Sequence, residues 1–485
     1  MKRLSALTAL FVLGACSDEG AAFTTRLPDG GNATGGTSMT STSSGGAVTS
    51  AANGGASGAS PSSGGAAATG SGRGGAESPD AGVDGSSTAR PRAFRLATSG
   101  AQLVVTGPDL GLQLTDANVA DDADVFDVHQ EFYGVPWREL EAGQAPPAEW
   151  TARMEALAAA ARAAKKPVFL SVTMLDGTRD RLAATTTIDA GQVKTTDDTS
   201  DTCYDFHTAT DAASKRAAYL RYVALMVDTF APAYMNVAVE VNLFFEKCAA
   251  AAPALRDVAN AAYDAVKAKA PSTVVFPSIQ IDHLYGYSTD SCANQSARDA
   301  CFDVNYATLD GLKRDRFAMS SYPYLSGLLD PDALPPDWFT RGAARGGEKP
   351  LIAETGWLST PLVAHARDGT CPSVFDETET TSAAYLSRVL DDADGKGLEL
   401  VTWWSDRDLL LSSVMTDCPC HLDATWCTVE DIFRGPAQAS GTDTQFFGEL
   451  LMKAFGTMGL RLYDGTPKPM LYSLWERARS RPLSP

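Results

Sequence analysis

Histidine is scarce in this chain: five residues in 485, at positions 129, 207, 283, 365 and 421. None belongs to an H-x-H or H-E-x-x-H pair, so the zinc signature is missing and no metal is expected. Basic residues are in deficit, 40 Lys and Arg against 59 Asp and Glu, for a formal net charge of −19. A nucleic-acid partner needs a basic footprint, and that class is excluded. No run of 18 apolar residues occurs, so no segment reads as a membrane-spanning helix. Residues 93–485 hold no G-x-S-x-G elbow, and no G-x-G-x-x-G follows a first strand, which removes the serine-hydrolase and dinucleotide signatures. No cofactor is expected.

Glycine is plentiful but unevenly spread, with 18 of the 42 in residues 17–92. That stretch is mostly Gly, Ser, Ala and Thr, with Phe23 its one aromatic. It cannot bury enough apolar surface to offset its ordering entropy, so a disordered tether of roughly 50 Å root-mean-square reach is expected. Ahead of it, Lys2 and Arg3, an apolar run to Leu13 and the small Gly14 and Ala15 read as a secretory signal. Leu13-Gly14-Ala15-Cys16 resembles a bacterial lipobox. The resemblance implies removal of residues 1–15, lipid on Cys16 and membrane attachment through that anchor only. Ser17 stands where Asp would retain a Gram-negative lipoprotein in the inner membrane, which implies the outer membrane, facing the periplasm or the cell surface. Residues 16–92 are then the lipidated cysteine and its tether, and 93–485 one large domain.

Eight cysteines remain after Cys16: Cys203, Cys248, Cys292, Cys301, Cys371, Cys418, Cys420 and Cys427. An even number in an exported chain reads as a disulfide set. Cys292 with Cys301 and Cys203 with Cys248 are the expected first pairs. The other four should make two more, in a connectivity the spacing leaves open.

In 93–485, short β-branched or aromatic runs alternate with Ala-rich segments of helical spacing. The runs are 110–114, 125–131, 167–173, 234–241, 273–281, 316–322, 350–354 and 399–404; the clearest helical segments are 150–164, 212–230, 254–268 and 381–393. Eight strands alternating with helices predict a (β/α)8 barrel, an α/β fold. The residues beyond a minimal barrel fall in polar stretches after predicted strands: 174–211, 282–309, 323–347, 358–380 and 405–440. All eight cysteines except Cys248 lie in these stretches, and Cys248 follows closely on a strand end. Long disulfide-bearing loops therefore elaborate the C-terminal face, where barrel active sites lie.

Two predicted strands end on a carboxylate in apolar surroundings, the fourth on Glu240 and the seventh on Glu354. Charge there is costly unless it is bonded or functional, and glycoside cleavage needs two such groups. Around them, Val239-Glu240-Val241-Asn242 resembles the acid/base strand, and Ala353-Glu354-Thr355-Gly356-Trp357 the nucleophile strand, of the retaining (β/α)8-barrel glycoside hydrolase clan. Its plant-type β-1,3-glucanases and endo-β-1,4-galactanases are the most similar. Ser321-Tyr322-Pro323-Tyr324 and Thr402-Trp403-Trp404 are similar to the clan's sixth and eighth strand ends.

The resemblance implies a glycosidase with Glu240 as acid/base, Glu354 as nucleophile, Tyr322 as orienter and Trp403 as the sugar floor. The clan has Asn before its acid/base; here Val239 stands there. Asn242, on the same side of the pleat if the strand continues, is the substitute. Trp357 reads as a stacking platform or a loop anchor. His129, with Glu131 at the second strand end, reads as a sugar ligand or a satisfied structural histidine. Each remaining site residue has a structural alternative: an ion-paired strand-end carboxylate for Glu240 and Glu354, a core aromatic for Tyr322 and Trp403. All but six of the basic and six of the acidic residues lie in 93–485, so the full −19 sits on the domain. That favours a neutral glycan partner and a monomer. The competing reading is a catalytically inactive glycan-binding barrel.

Overall fold

The computed structural model describes residues 90–484, apart from 412–453 and the short stretches 107–108, 115, 131–133, 190–191, 197–201, 288–291, 293–294 and 364–372. Cys16, Glu131, Cys371, Cys418, Cys420 and Cys427 lie outside the described residues.

Eight parallel strands follow one another around a barrel: Arg95–Ser99, Val125–His129, Val168–Ser171, Tyr234–Asn236, the two-part strand Val274–Phe276 and Ser278–Gln280, Phe317–Ser321, Pro350–Thr355 and Leu400–Trp403. The fifth strand breaks at Pro277, which has no N–H to give a ladder. Its first half pairs with the fourth strand and its second half with the sixth, and this closes the circle. The strands are buried on both faces, as helix-covered parallel strands must be.

The first barrel strand corrects the expectation at 110–114. Asp109–Leu114 instead pairs antiparallel with Ala101–Thr106. Its alternating Leu110, Leu112 and Leu114 are the period of a one-sided ribbon. The barrel position belongs to Arg95–Ser99, in which Leu96 and Ala97 are both fully buried. The fourth strand is also shorter than expected, ending at Asn236. The stretch 282–309 is only partly loop, since Gln295–Ala307 is helical.

Helices Ala148–Ala164, Ala212–Phe230, Ala252–Lys269 and Glu379–Lys396 cover the predicted helical segments. The last starts with Thr378 accepting the Thr381 N–H and stops at left-handed Gly397. Inside the barrel, Ala97, Val125, Phe169, Tyr234, Phe276, Ala318, Leu351 and Leu400, one per strand, form an apolar floor. Two residues further along most strands the inner face turns polar: Ser99, Asp127, Ser171, Asn236, Ser278, Ser320 and Thr402, all buried.

The two ends of the described chain meet below that floor. Arg92 N–H donates to Pro482 O, and Ser484 N–H donates to Arg92 O. The Arg92 guanidinium grips Asp124 with both terminal nitrogens, at 2.6 and 2.7 Å.

Candidate active site

Glu354 reaches the mouth through a bulge. Strands six and seven pair Met319 with Ile352, then Ser320 with Glu354, leaving Ala353 extra. Leu351 and Ala353 both face the barrel interior. In a regular strand Glu354 would therefore face outward; the added residue turns it in, opposite Ser320. Gly356 follows; a Cβ there would lie 2.8 Å from Met458 Sδ, so a larger residue would displace that side chain.

Glu240 arrives differently. After Asn236 the chain leaves the sheet, and Glu240 sits in left-handed conformation (φ 50°) at the start of helix Val241–Lys247. The turn is built on Ser278. Its N–H donates to Asn236 Oδ1, and its Oγ receives Asn236 Nδ2 and the Glu240 N–H. The Glu240 side chain is buried, with Oε1 accepting from Ser320 Oγ at 2.7 Å and Oε2 from Arg179 Nε at 3.1 Å. Ser320 thus bonds one carboxylate and pairs in register with the other.

Tyr322 donates its hydroxyl to Glu354 Oε1. Burial first, then the charge of Glu354 and the bond to it, push the Tyr322 phenol well above its ordinary range, with a smaller contribution from Glu240. Both carboxylates therefore act on one phenol. Behind it, Asp282 accepts the Tyr322 N–H, and burial raises the Asp282 carboxyl to about 6.

Other expected ligands fall elsewhere. Asn242 is on the helix, not on a continued strand, so the pleat argument fails. Its amide is clamped to Gln280, Nδ2 donating to the carbonyl and Oδ1 accepting the N–H. Trp403 is fully buried and donates to Met458 O at 2.6 Å. Trp357 is fully buried between Tyr324 and Tyr385 and donates to Glu377 Oε2 at 2.8 Å, which makes it a loop anchor. Trp404 is the eighth-strand aromatic at the mouth. It is partly exposed and meets Phe455 edge-on, and Phe455 meets Tyr322 in the same way. Parity could have found it, because Leu400 belongs to the floor and Trp404 lies four residues on. His129 is buried, its Nε2 2.9 Å from Asp127 Oδ2 on the same strand face. Nothing in the sequence marks Arg179, which a loop delivers.

The two predicted disulfides that fall in described residues are present, Cys203–Cys248 and Cys292–Cys301. Among the described residues no cluster of His, Cys, Asp or Glu could hold a metal ion, and no helix is long and apolar enough to cross a membrane.

Fold and site together define a (β/α)8 barrel with paired carboxylates at its C-terminal mouth. No family model and no curated protein matches the sequence. Solved structures similar to it are glycoside hydrolases on the same barrel. An exo-β-1,4-mannosidase from an Opitutaceae bacterium is 14% identical with a TM-score of 0.45, over 76% of this chain and 55% of that one. A GH5_18 protein from Streptomyces cattleya in complex with Manβ1-4GlcNAc is 16% identical with a TM-score of 0.43, over 75% and 73%. A β-glucuronidase from an uncultured Clostridium is 10% identical with a TM-score of 0.41, over 80% and 50%. The chain spans about half the length of the first and third. Likeness of this size carries no assignment of substrate or mechanism.

Proposed function

We propose that this chain is a retaining glycoside hydrolase acting on a neutral polysaccharide or oligosaccharide. The observation that carries the reading is the convergence of Glu240 and Glu354 on Ser320 and Tyr322 at one barrel mouth. Glu354 attacks the anomeric carbon while Glu240 gives its proton to the departing glycosidic oxygen. Water then adds to the glycosyl-enzyme, losing a proton to Glu240 and freeing the Glu354 carboxylate. Tyr322 bonds one Glu354 oxygen and so orients the carboxylate.

A 2-deoxy-2-fluoro glycoside should add its sugar mass to the peptide carrying Glu354. Glu354→Gln should lose that adduct and cut turnover by roughly a thousandfold or more, with the melting temperature kept. Unchanged turnover in Glu354→Gln would refute the assignment. Proton NMR of the first-formed anomer reads retention directly.

A second reading has its own support. Both oxygens of Glu240 already accept bonds, and Asn242, the expected substitute, is committed to Gln280 rather than to a sugar 2-hydroxyl. These features suit a barrel that binds glycan without cleaving it. Binding without reducing-end release across β-glucans, galactans, mannans and xylans would select that reading. The lipid anchor at Cys16 belongs to the proposal as well: labelled palmitate should enter the wild type and not Cys16→Ser.

A further inference from the structure

We infer that Arg179 is a positioning residue for Glu240, presented by a loop that the Cys203–Cys248 disulfide staples to the Glu240 helix. The inference rests on the reading of Glu240 as acid/base. It is drawn from a chain of contacts outside both carboxylate strands. Arg179 follows the third strand in a left-handed conformation (φ 61°), an unfavourable place for a long side chain. It is 6% exposed, and its Nη1 is spent on Asp176 O at 2.8 Å. That bond fixes the fork so that Nε faces Glu240 Oε2.

The loop is held from the Glu240 side. Helix Val241–Lys247 begins on Glu240 and ends beside Cys248. Lys247 Nζ donates to Thr178 O at 2.6 Å, one residue before Arg179. Cys203 N–H donates to Asp180 O at 2.6 Å, one residue after it. The disulfide joins that same Cys203 to Cys248. Arg179 is thus flanked by a bond from Lys247 of the helix it serves and by one from Cys203, which the disulfide ties to the end of that helix. Besides Glu240, Asp176 and Lys247 are charged groups that act on it. With Ser320 on Oε1, the arginine leaves the Glu240 carboxyl one orientation, and a general acid misplaced by about 1 Å loses roughly a hundredfold in rate.

The test uses 4-nitrophenyl β-glucoside, β-mannoside and β-galactoside with the full chain. Arg179→Met should lower kcat by roughly a hundredfold with KM within about threefold. Arg179→Lys, which keeps the charge but not the fork, should recover part of the loss. The pair Cys203→Ser and Cys248→Ser should lower kcat in the same direction, and its combination with Arg179→Met should be far from additive. A wild-type kcat in Arg179→Met, or strict additivity with the cysteine pair, overturns the inference. Should the wild type cleave none of the three glycosides and release no reducing ends from β-glucans, galactans, mannans or xylans, the hydrolase reading fails alone. The positioning claim is then decided by the crystal structure of Arg179→Met: a displaced Glu240 carboxyl upholds it, and an unmoved one overturns it.

Discussion

At the residue scale the site is an arrangement of donors around two acceptors. Tyr322 donates to Glu354, and Ser320 and Arg179 donate to Glu240. Tyr322→Phe removes one hydrogen bond to a charged group, worth about 1.5–3 kcal/mol, so kcat should fall about ten- to a hundredfold. Steady-state kinetics on an active aryl glycoside would check this, and an unaltered kcat would remove Tyr322 from the site. Glu240 carries a different signature. A non-glycine residue in left-handed backbone costs about 1 kcal/mol or more, but Glu240→Gly also leaves the buried Arg179 without its carboxylate, a cost of about 3–5 kcal/mol. Glu240→Gly should therefore melt below the wild type as well as lose hydrolysis, and a melting temperature at or above the wild type would contradict a buried Glu240–Arg179 pair.

Both carboxylates and Tyr322 were legible as residues because short motifs surround them. Their neighbours were not. Arg179 comes from a loop whose path depends on tertiary bonds, and Asn242 changed role because the strand ended five residues earlier than its apolar run suggested. The run 237–241 is buried in a turn and the start of a helix, where apolar composition says nothing about period.

At the element scale the two irregularities of the barrel place the two carboxylates. A bulge in the seventh strand turns Glu354 inward, and the early end of the fourth strand frees the turn that holds Glu240. The helices were readable from Ala-rich spacing, whereas the first strand was not. Arg95–Ser99 is short and directly follows the Gly/Ser-rich segment, and 110–114 offered a cleaner alternation that belongs to a ribbon.

The eighth strand gives a test of facing. Trp404→Ala removes the aromatic at the mouth and should raise KM about tenfold for a bound sugar, a loss of about 1.4 kcal/mol. Trp403→Phe deletes the bond to Met458 O and should cost about 1–2 kcal/mol of stability without moving KM. The reverse pattern, read by kinetics and urea unfolding, would show that Trp403 faces the substrate.

At the scale of the whole molecule, burial and acidity act in one direction. Desolvation raises Asp176, Asp282 and Asp408 to about 6 and Asp406 to about 8, the last helped by nearby Asp122. Each sits above the ordinary 3.8, so the folded chain holds protons that the unfolded chain releases. Their contribution is fully present below about pH 4 and is lost as pH rises through 6 to 8. The net charge of −19 adds self-repulsion over the same range. The melting temperature should therefore be higher at pH 5 than at pH 8, and Asp282→Asn should flatten that slope. A melting temperature that climbs from pH 5 to pH 8 would contradict this balance.

The meeting of Arg92 with Pro482 and Ser484 has a directional consequence. Residue 90 leads into the N-terminal end of the first strand, so any leader enters through the underside of the barrel. Glu240 and Glu354 open on the opposite side. Because residues 92 and 484 lie together on that underside, a partner domain joined directly at residue 90 or after residue 484 would attach on the side away from the mouth.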